Sequence, residues 1–158
     1  MRDTPPDSPR HAAILLRQSL SQLNRGLRGA APLAPATPAM LSVLGWLMRR
    51  GELTPSELAG LEGVRLQTLT RLLAALERAA WVVRRIDPED ARRSRLRLTA
   101  AGARLLTAHV RRREASLERA IAATLDSDEQ RCLRQACALL ERIAGQLQAG
   151  RRAAAGTA

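Results

Sequence analysis

The chain has 158 residues and a formal net charge of +11, a length that suits one domain with helical extensions and a charge that favours a polyanionic partner. Phe and Tyr are absent, and Trp46 and Trp81 are the sole aromatics, which argues against the stacking platforms that hold unpaired bases in RRM and OB modules. No apolar leader opens the sequence and no window approaches a membrane span, so a soluble, cytoplasmic protein without a membrane partner is expected.

Residues 1–9 are polar and Pro-rich and read as a disordered tail. Ile14, Leu15, Leu16, Leu20, Leu23 and Leu27 recur at close to helical spacing over residues 10–28. Gly29 to Ala39 reads as a connection, and a helix follows from about Pro38 to Arg50 on Met40, Leu41, Leu44, Leu47 and Met48, ended by Gly51. Thr54, Pro55 and Glu57 form a capping box with proline at the first helical position. That helix ends at Gly60 or shortly after, where Gly63 helps the chain reverse.

The next helix, Arg65 to Ala79, is expected to bury Leu66, Leu69, Leu72, Leu73 and Leu76. Arg65, Gln67, Thr68, Arg71, Ala75 and Arg78 are left outside. Trp81–Ile86 and Arg95–Leu98 have strand character, and the Arg-Leu-Arg-Leu alternation of the second suits a half-buried hairpin. Asp87 to Ser94 reads as the turn between them. Thr99 caps a long helix to about Thr124; Asp126 with Glu129 opens a last one, to about Gln148, before a frayed tail at 150–158. The long helices at the two ends have apolar stripes and little of one chain to bury them against, which predicts a homodimer.

Every one of the 26 basic residues is Arg. A GC-rich coding bias accounts for that choice better than function does, but the placement of the charge is another matter. Residues 65–104 hold ten Arg against four acids, so +6 of the +11 falls in about a quarter of the chain. A helix, a short Gly-containing turn, a second helix and a basic hairpin make the order needed to lay one helix in the DNA major groove with a wing beside it.

The motifs in this stretch resemble those of the MarR family of bacterial transcriptional regulators. Asp87-Pro88-Glu89-Asp90-Ala91-Arg92, followed by Leu96-Arg97-Leu98-Thr99-Ala100-Ala101-Gly102, is similar to that family's wing signature. Further matches are Leu53-Thr54-Pro55-Ser56-Glu57-Leu58-Ala59, Gly63-Val64 and Thr68-Leu69-Thr70-Arg71-Leu72. Each motif is weak alone; their order and spacing are specific. Arg65 departs from the family's common Ser, so about 1 kcal/mol of N-capping is expected to be missing. Gln67 stands where Pro is common and adds an adenine-reading group.

The resemblance implies a mainly α (α+β) fold, a winged helix-turn-helix with N- and C-terminal dimerisation helices. The expected division is an N-terminal dimerisation helix and connection (10–36), the DNA-binding domain (37–98) and C-terminal dimerisation helices (99–149). Expected DNA contacts are Arg65, Gln67, Thr68, Thr70 and Arg71 on the recognition helix and Arg92, Arg93 and Arg95 on the wing. The resemblance places Arg92 in the minor groove, with Asp90 ordering the wing tip. Arg84 and Arg85, nearer the hairpin base, are expected to be solvated.

The function these readings imply is a homodimeric repressor of double-stranded, pseudo-palindromic DNA, released by a small-molecule effector and needing no cofactor. Two readings compete with it: a dimeric winged-helix interaction or architectural protein without operator specificity, and a thiol-based redox regulator acting through Cys132. Cys137 falls on the apolar stripe of the last helix and is expected in the core. His11, His109 and two helical cysteines make neither a metal site nor a catalytic triad, and no nucleophile–base pair or phosphate-cradling Gly loop supports an enzyme.

Overall fold

The computed structural model describes residues 8–28, 36–86, 90 and 93–155. The chain divides into two compact units, residues 1–33 and 34–158. Among the described residues the first holds one helix, α1 (Pro9–Arg28), opened by the Ser8 hydroxyl, which accepts the His11 N–H. Its Ile14, Leu15, Leu20 and Leu23 remain exposed within this unit. The second contains α2 (Pro38–Arg50), α3 (Pro55–Glu62), α4 (Leu66–Arg78), β1 (Val82–Ile86), β2 (Ser94–Leu98), α5 (Ala100–Thr124) and α6 (Ser127–Ala155).

Side-chain caps set most of these starts. Thr37 accepts the Met40 N–H ahead of α2, and Thr99 accepts that of Gly102 ahead of α5. The expected capping boxes are both present: Thr54 with Glu57 opens α3, and Asp126 with Glu129 opens α6. α4 is the exception among the described helices, because its N-cap is Arg65, which makes no side-chain cap bond. Gly63, at φ 67° and ψ 33°, ends α3 in the left-handed region, and the Val64 N–H reaches back to the Ala59 carbonyl. The α3–α4 turn is thereby held to a few residues, as a helix-turn-helix requires.

α4 ends in the same kind of turn, but with alanine in the left-handed position. Ala80 has φ 56°; its N–H bonds to the Glu77 carbonyl, and the Trp81 N–H bonds to that of Leu76. An L side chain in this region is strained by about 1–2 kcal/mol, whereas glycine is not. Ala80→Gly is therefore expected to stabilise the fold by about 1 kcal/mol and to raise the melting temperature by roughly 2–4 °C. A thermal melt that falls instead would show the strain to be absent.

The core lies where four helices meet the hairpin: Val43, Leu44 and Leu47 of α2, Leu58 of α3, Leu69, Leu73 and Leu76 of α4, and Leu106 of α5, with Val82 and Leu96 of the strands. Burying each such side chain fully stabilises the fold by roughly 1.5–3 kcal/mol before entropy is counted. Leu66 departs from expectation. It is 46% exposed, because the first residue of α4 precedes the turn that rests on the core. Trp81 is half-buried against this cluster.

β1 and β2 pair antiparallel, with Val82 opposite Leu98, Arg84 opposite Leu96 and Ile86 opposite Ser94. Leu53 adds a bridge on the other edge of β2, exchanging N–H···O bonds of 3.1 and 2.8 Å with Leu96. The hairpin is thus bonded to the segment that leads into α3. In α5 only Gly102 and Leu106 are buried, both in its first two turns. α6 runs to Ala155, beyond the expected end near Gln148 and through most of the tail expected to fray. Its last stretch, Ala149-Gly150-Arg151-Arg152-Ala153-Ala154-Ala155, is rich in strong helix formers that outweigh one glycine. None of the described side chains of α6 is buried.

Candidate nucleic-acid interface

At 3.6 residues per turn, the leucines that seat α4 leave the opposite side outward. Gln67, Arg71 and Arg78 fall on that side and are exposed, with Thr68 flanking them. Arg65, also exposed, stands at the head of the helix. Its carbonyl accepts the N–H groups of both Thr68 and Leu69, at 3.0 and 3.2 Å. The N–H groups of Leu66 and Gln67 precede the first intrahelical bond, and with the helix dipole they favour a phosphate or carboxylate oxygen. Thr70 is exposed, but its hydroxyl donates to the Leu66 carbonyl at 2.9 Å. That proton is therefore used within the helix, leaving the oxygen as an acceptor.

In the hairpin, alternation sends Arg85, Arg95 and Arg97 to one side and Val82, Leu96 and Leu98 to the other. Arg93 and Arg97 are exposed and Arg95 half-buried. The register sets Arg85 directly across from Arg95. Two guanidinium groups so placed repel each other unless an anion lies between or beside them. Arg85 is exposed, as expected, and its place opposite Arg95 follows from the strand register rather than from its position near the hairpin base.

One local anion is Glu57 of the α3 capping box. The Thr54 backbone N–H and hydroxyl, at 2.7 and 2.8 Å, hold its carboxyl below the usual carboxylate range, and Arg95 and Arg93 add to that. Two of the expected wing contacts therefore lie within the field of the helix-turn-helix itself. Arg92 lies outside the described residues, as do Asp87, Pro88, Glu89 and Ala91. Asp90 is exposed, and its backbone carbonyl accepts the Arg93 N–H at 2.9 Å.

Arg84 is exposed, as expected, but its guanidinium is engaged on two neighbours. Its Nε donates to Glu77 Oε1 at 2.9 Å, Nη2 lies 2.8 Å from the same oxygen, and Nη1 donates to Ser94 Oγ at 2.8 Å. Cys137 is corrected: rather than lying in the core it is exposed, like Cys132, on a helix none of whose described side chains is buried. His109 is half-buried, and burial, followed by the Arg113 charge, lowers its pKa from the ordinary imidazole value. Among the described residues no group of His, Cys, Asp and Glu could hold a metal ion, and no helix is long and apolar enough to cross a membrane.

Comparison with known proteins agrees with this geometry. Residues 36–94 match the MarR family model. An HTH-type transcriptional regulator of Mycobacterium leprae is 36% identical over 135 residues, covering 85% of this chain and 93% of that protein. Among solved structures, a transcriptional regulator of Pseudomonas aeruginosa PA01 shares 39% identity with a TM-score of 0.78, covering 90% of this chain and 98% of its own. Wild-type apo MarR of E. coli shares 26% identity with a TM-score of 0.71 at the same coverages, 90% and 98%. Motifs, winged helix-turn-helix architecture and relatives converge: the chain belongs to the MarR family of DNA-binding transcriptional regulators.

Proposed function

We propose that the protein is a homodimeric repressor whose two α4 helices read successive major grooves of a pseudo-palindromic operator. The observation that supports this most is the outward row of Gln67, Arg71 and Arg78 on α4, beside a hairpin in which Arg85 opposes Arg95. Arg and Gln are the side chains that make bidentate contacts to guanine and adenine edges. In this reading Arg65, Thr68 and Thr70 contribute to the same groove, while Arg92, Arg93 and Arg95 bind the backbone or the minor groove and Asp90 orders the tip. Residues 37–98 are the reading domain; α1, α5 and α6 join the two copies.

A cavity of about 440 Å³ between α2 and α5 supports release by an effector. Leu41, Met48, Leu106 and Val110 line it together with Arg49, His109 and Arg113. That combination suits a small, largely apolar molecule bearing an acidic group, and the volume is within the ordinary range of ligand sites. Because α5 joins the reading domain to the proposed dimer helices, filling the cavity would alter the spacing of the two α4 helices.

Selection of bound duplexes from a random DNA library tests the reading, with affinity then followed across salt. An inverted repeat is expected to be enriched. Arg71→Ala should weaken binding to that repeat by roughly 10- to 100-fold while changing binding to unrelated duplex far less. Binding without an enriched motif would favour an architectural protein.

A further inference from the structure

Arg84 occupies the inner side of the hairpin, the side of Val82, Leu96 and Leu98, where a basic residue has little reason to be. Directly opposed strand partners point the same way, and its partner Leu96 is fully buried. Arg84 is therefore the polar rung beside the last core layer, exposed at its edge and turned toward the end of α4. Three of its guanidinium nitrogens are engaged: Nε and Nη2 on Glu77 Oε1, Nη1 on Ser94 Oγ. Glu77 lies in the last turn of α4 and Ser94 is the first residue of β2. One planar group thus joins the recognition helix, the outgoing strand and the returning strand.

Side-chain exposures of 40% for Arg84 and 32% for Glu77 mean that this ion pair adds little to folding stability. Its effect is on direction. A hairpin of two five-residue strands is pliable by itself, and a planar fork with several engaged donors fixes orientation as a flexible ammonium cannot. We infer that Arg84 is a positioning residue for DNA recognition: held by Glu77 and Ser94, it sets the angle between wing and α4, and so decides whether both touch the duplex together. The inference rests on the operator-binding reading above.

Glu77 supplies a test whose sign separates this role from simple electrostatics. Removing an acid from a surface that meets a polyanion should tighten binding if charge alone matters. Loss of the lock should weaken it. The probe is the duplex enriched from the random library, used with its flanking base pairs and trimmed to the two half-sites. Glu77→Ala and Arg84→Ala are each expected to lower affinity for the flanked duplex by about tenfold and for the trimmed one by less than about twofold. The double variant should be no worse than either single one, and Ser94→Ala should show a smaller loss in the same direction.

Thermal melts are expected to shift little in all four variants. Unchanged or tighter binding by Glu77→Ala would overturn the assignment. So would equal losses on flanked and trimmed duplexes, which would place the defect in α4 alone. Failure of the wild-type protein to enrich any duplex would instead overturn the operator reading.

Discussion

Replacing Gly102 with alanine is expected to destabilise the protein by about 3 kcal/mol, although alanine normally improves a helix by about 1 kcal/mol. Gly102 lies in the first turn of α5, where its N–H bonds to the Thr99 hydroxyl at 3.1 Å. A methyl group there would run into the carbonyl oxygen of Trp81 and come within 2.9 Å of Leu98 Cδ1. The Trp81 carbonyl cannot simply move aside. It accepts the Thr99 N–H at 3.0 Å, and the Trp81 N–H is itself bonded to Leu76. The hairpin base, the end of α4 and the start of α5 meet at this one atom, so relief requires shifting an element. A urea titration should show the loss, and melting should fall by roughly 6–12 °C. Unchanged stability would mean that this junction is loose, and the wing signature's glycine would need another explanation.

The junction also shows what was legible in the sequence. Capping boxes need only residues three apart, so Thr54 with Glu57 and Asp126 with Glu129 set the starts of α3 and α6 before any tertiary contact is known. The leucine period of α4 likewise announced which side faces out, because helical geometry converts spacing into direction. Leu66 departs from the pattern since periodicity says nothing of where along a helix the core begins. Ala80 was hidden for the opposite reason: alanine is the strongest helix former, and its left-handed conformation comes from the Trp81 and Thr99 bonds around it.

Arg84 and Arg85 belong to a third class. Their roles depend on the register that sets Arg84 against Leu96 and Arg85 against Arg95, and on the turn that brings β1 back along α4. A basic pair at a hairpin base looks like surface charge until that pairing is known. Cys137 marks the remaining limit. An apolar stripe indicates that a face will be covered, but not whether the same chain covers it.

That uncovered stripe gives the other large expected effect. Leu133, Ala136, Leu140, Ile143 and Leu147 recur along α6 at helical spacing, yet Ile143 is 48% and Leu147 66% exposed. If a second copy covers them, as proposed, an aspartate at position 143 enters the interface twice, once from each chain. Burying an unpaired carboxylate costs several kcal/mol per copy, which is enough to dissociate a dimer at micromolar concentration.

Ile143→Asp is therefore expected to convert the protein to a monomer by sedimentation analysis. Affinity for the inverted repeat should fall by more than about 100-fold, while contact with a single half-site stays near its wild-type value. Because Ile143 makes no part of the core, the helix content by circular dichroism should be unchanged, which separates lost assembly from lost folding. A dimer that survives this change would have to be joined elsewhere, with the exposed leucines of α1 the next face to charge. A monomer that still bound the whole repeat with wild-type affinity would remove the need for two reading heads.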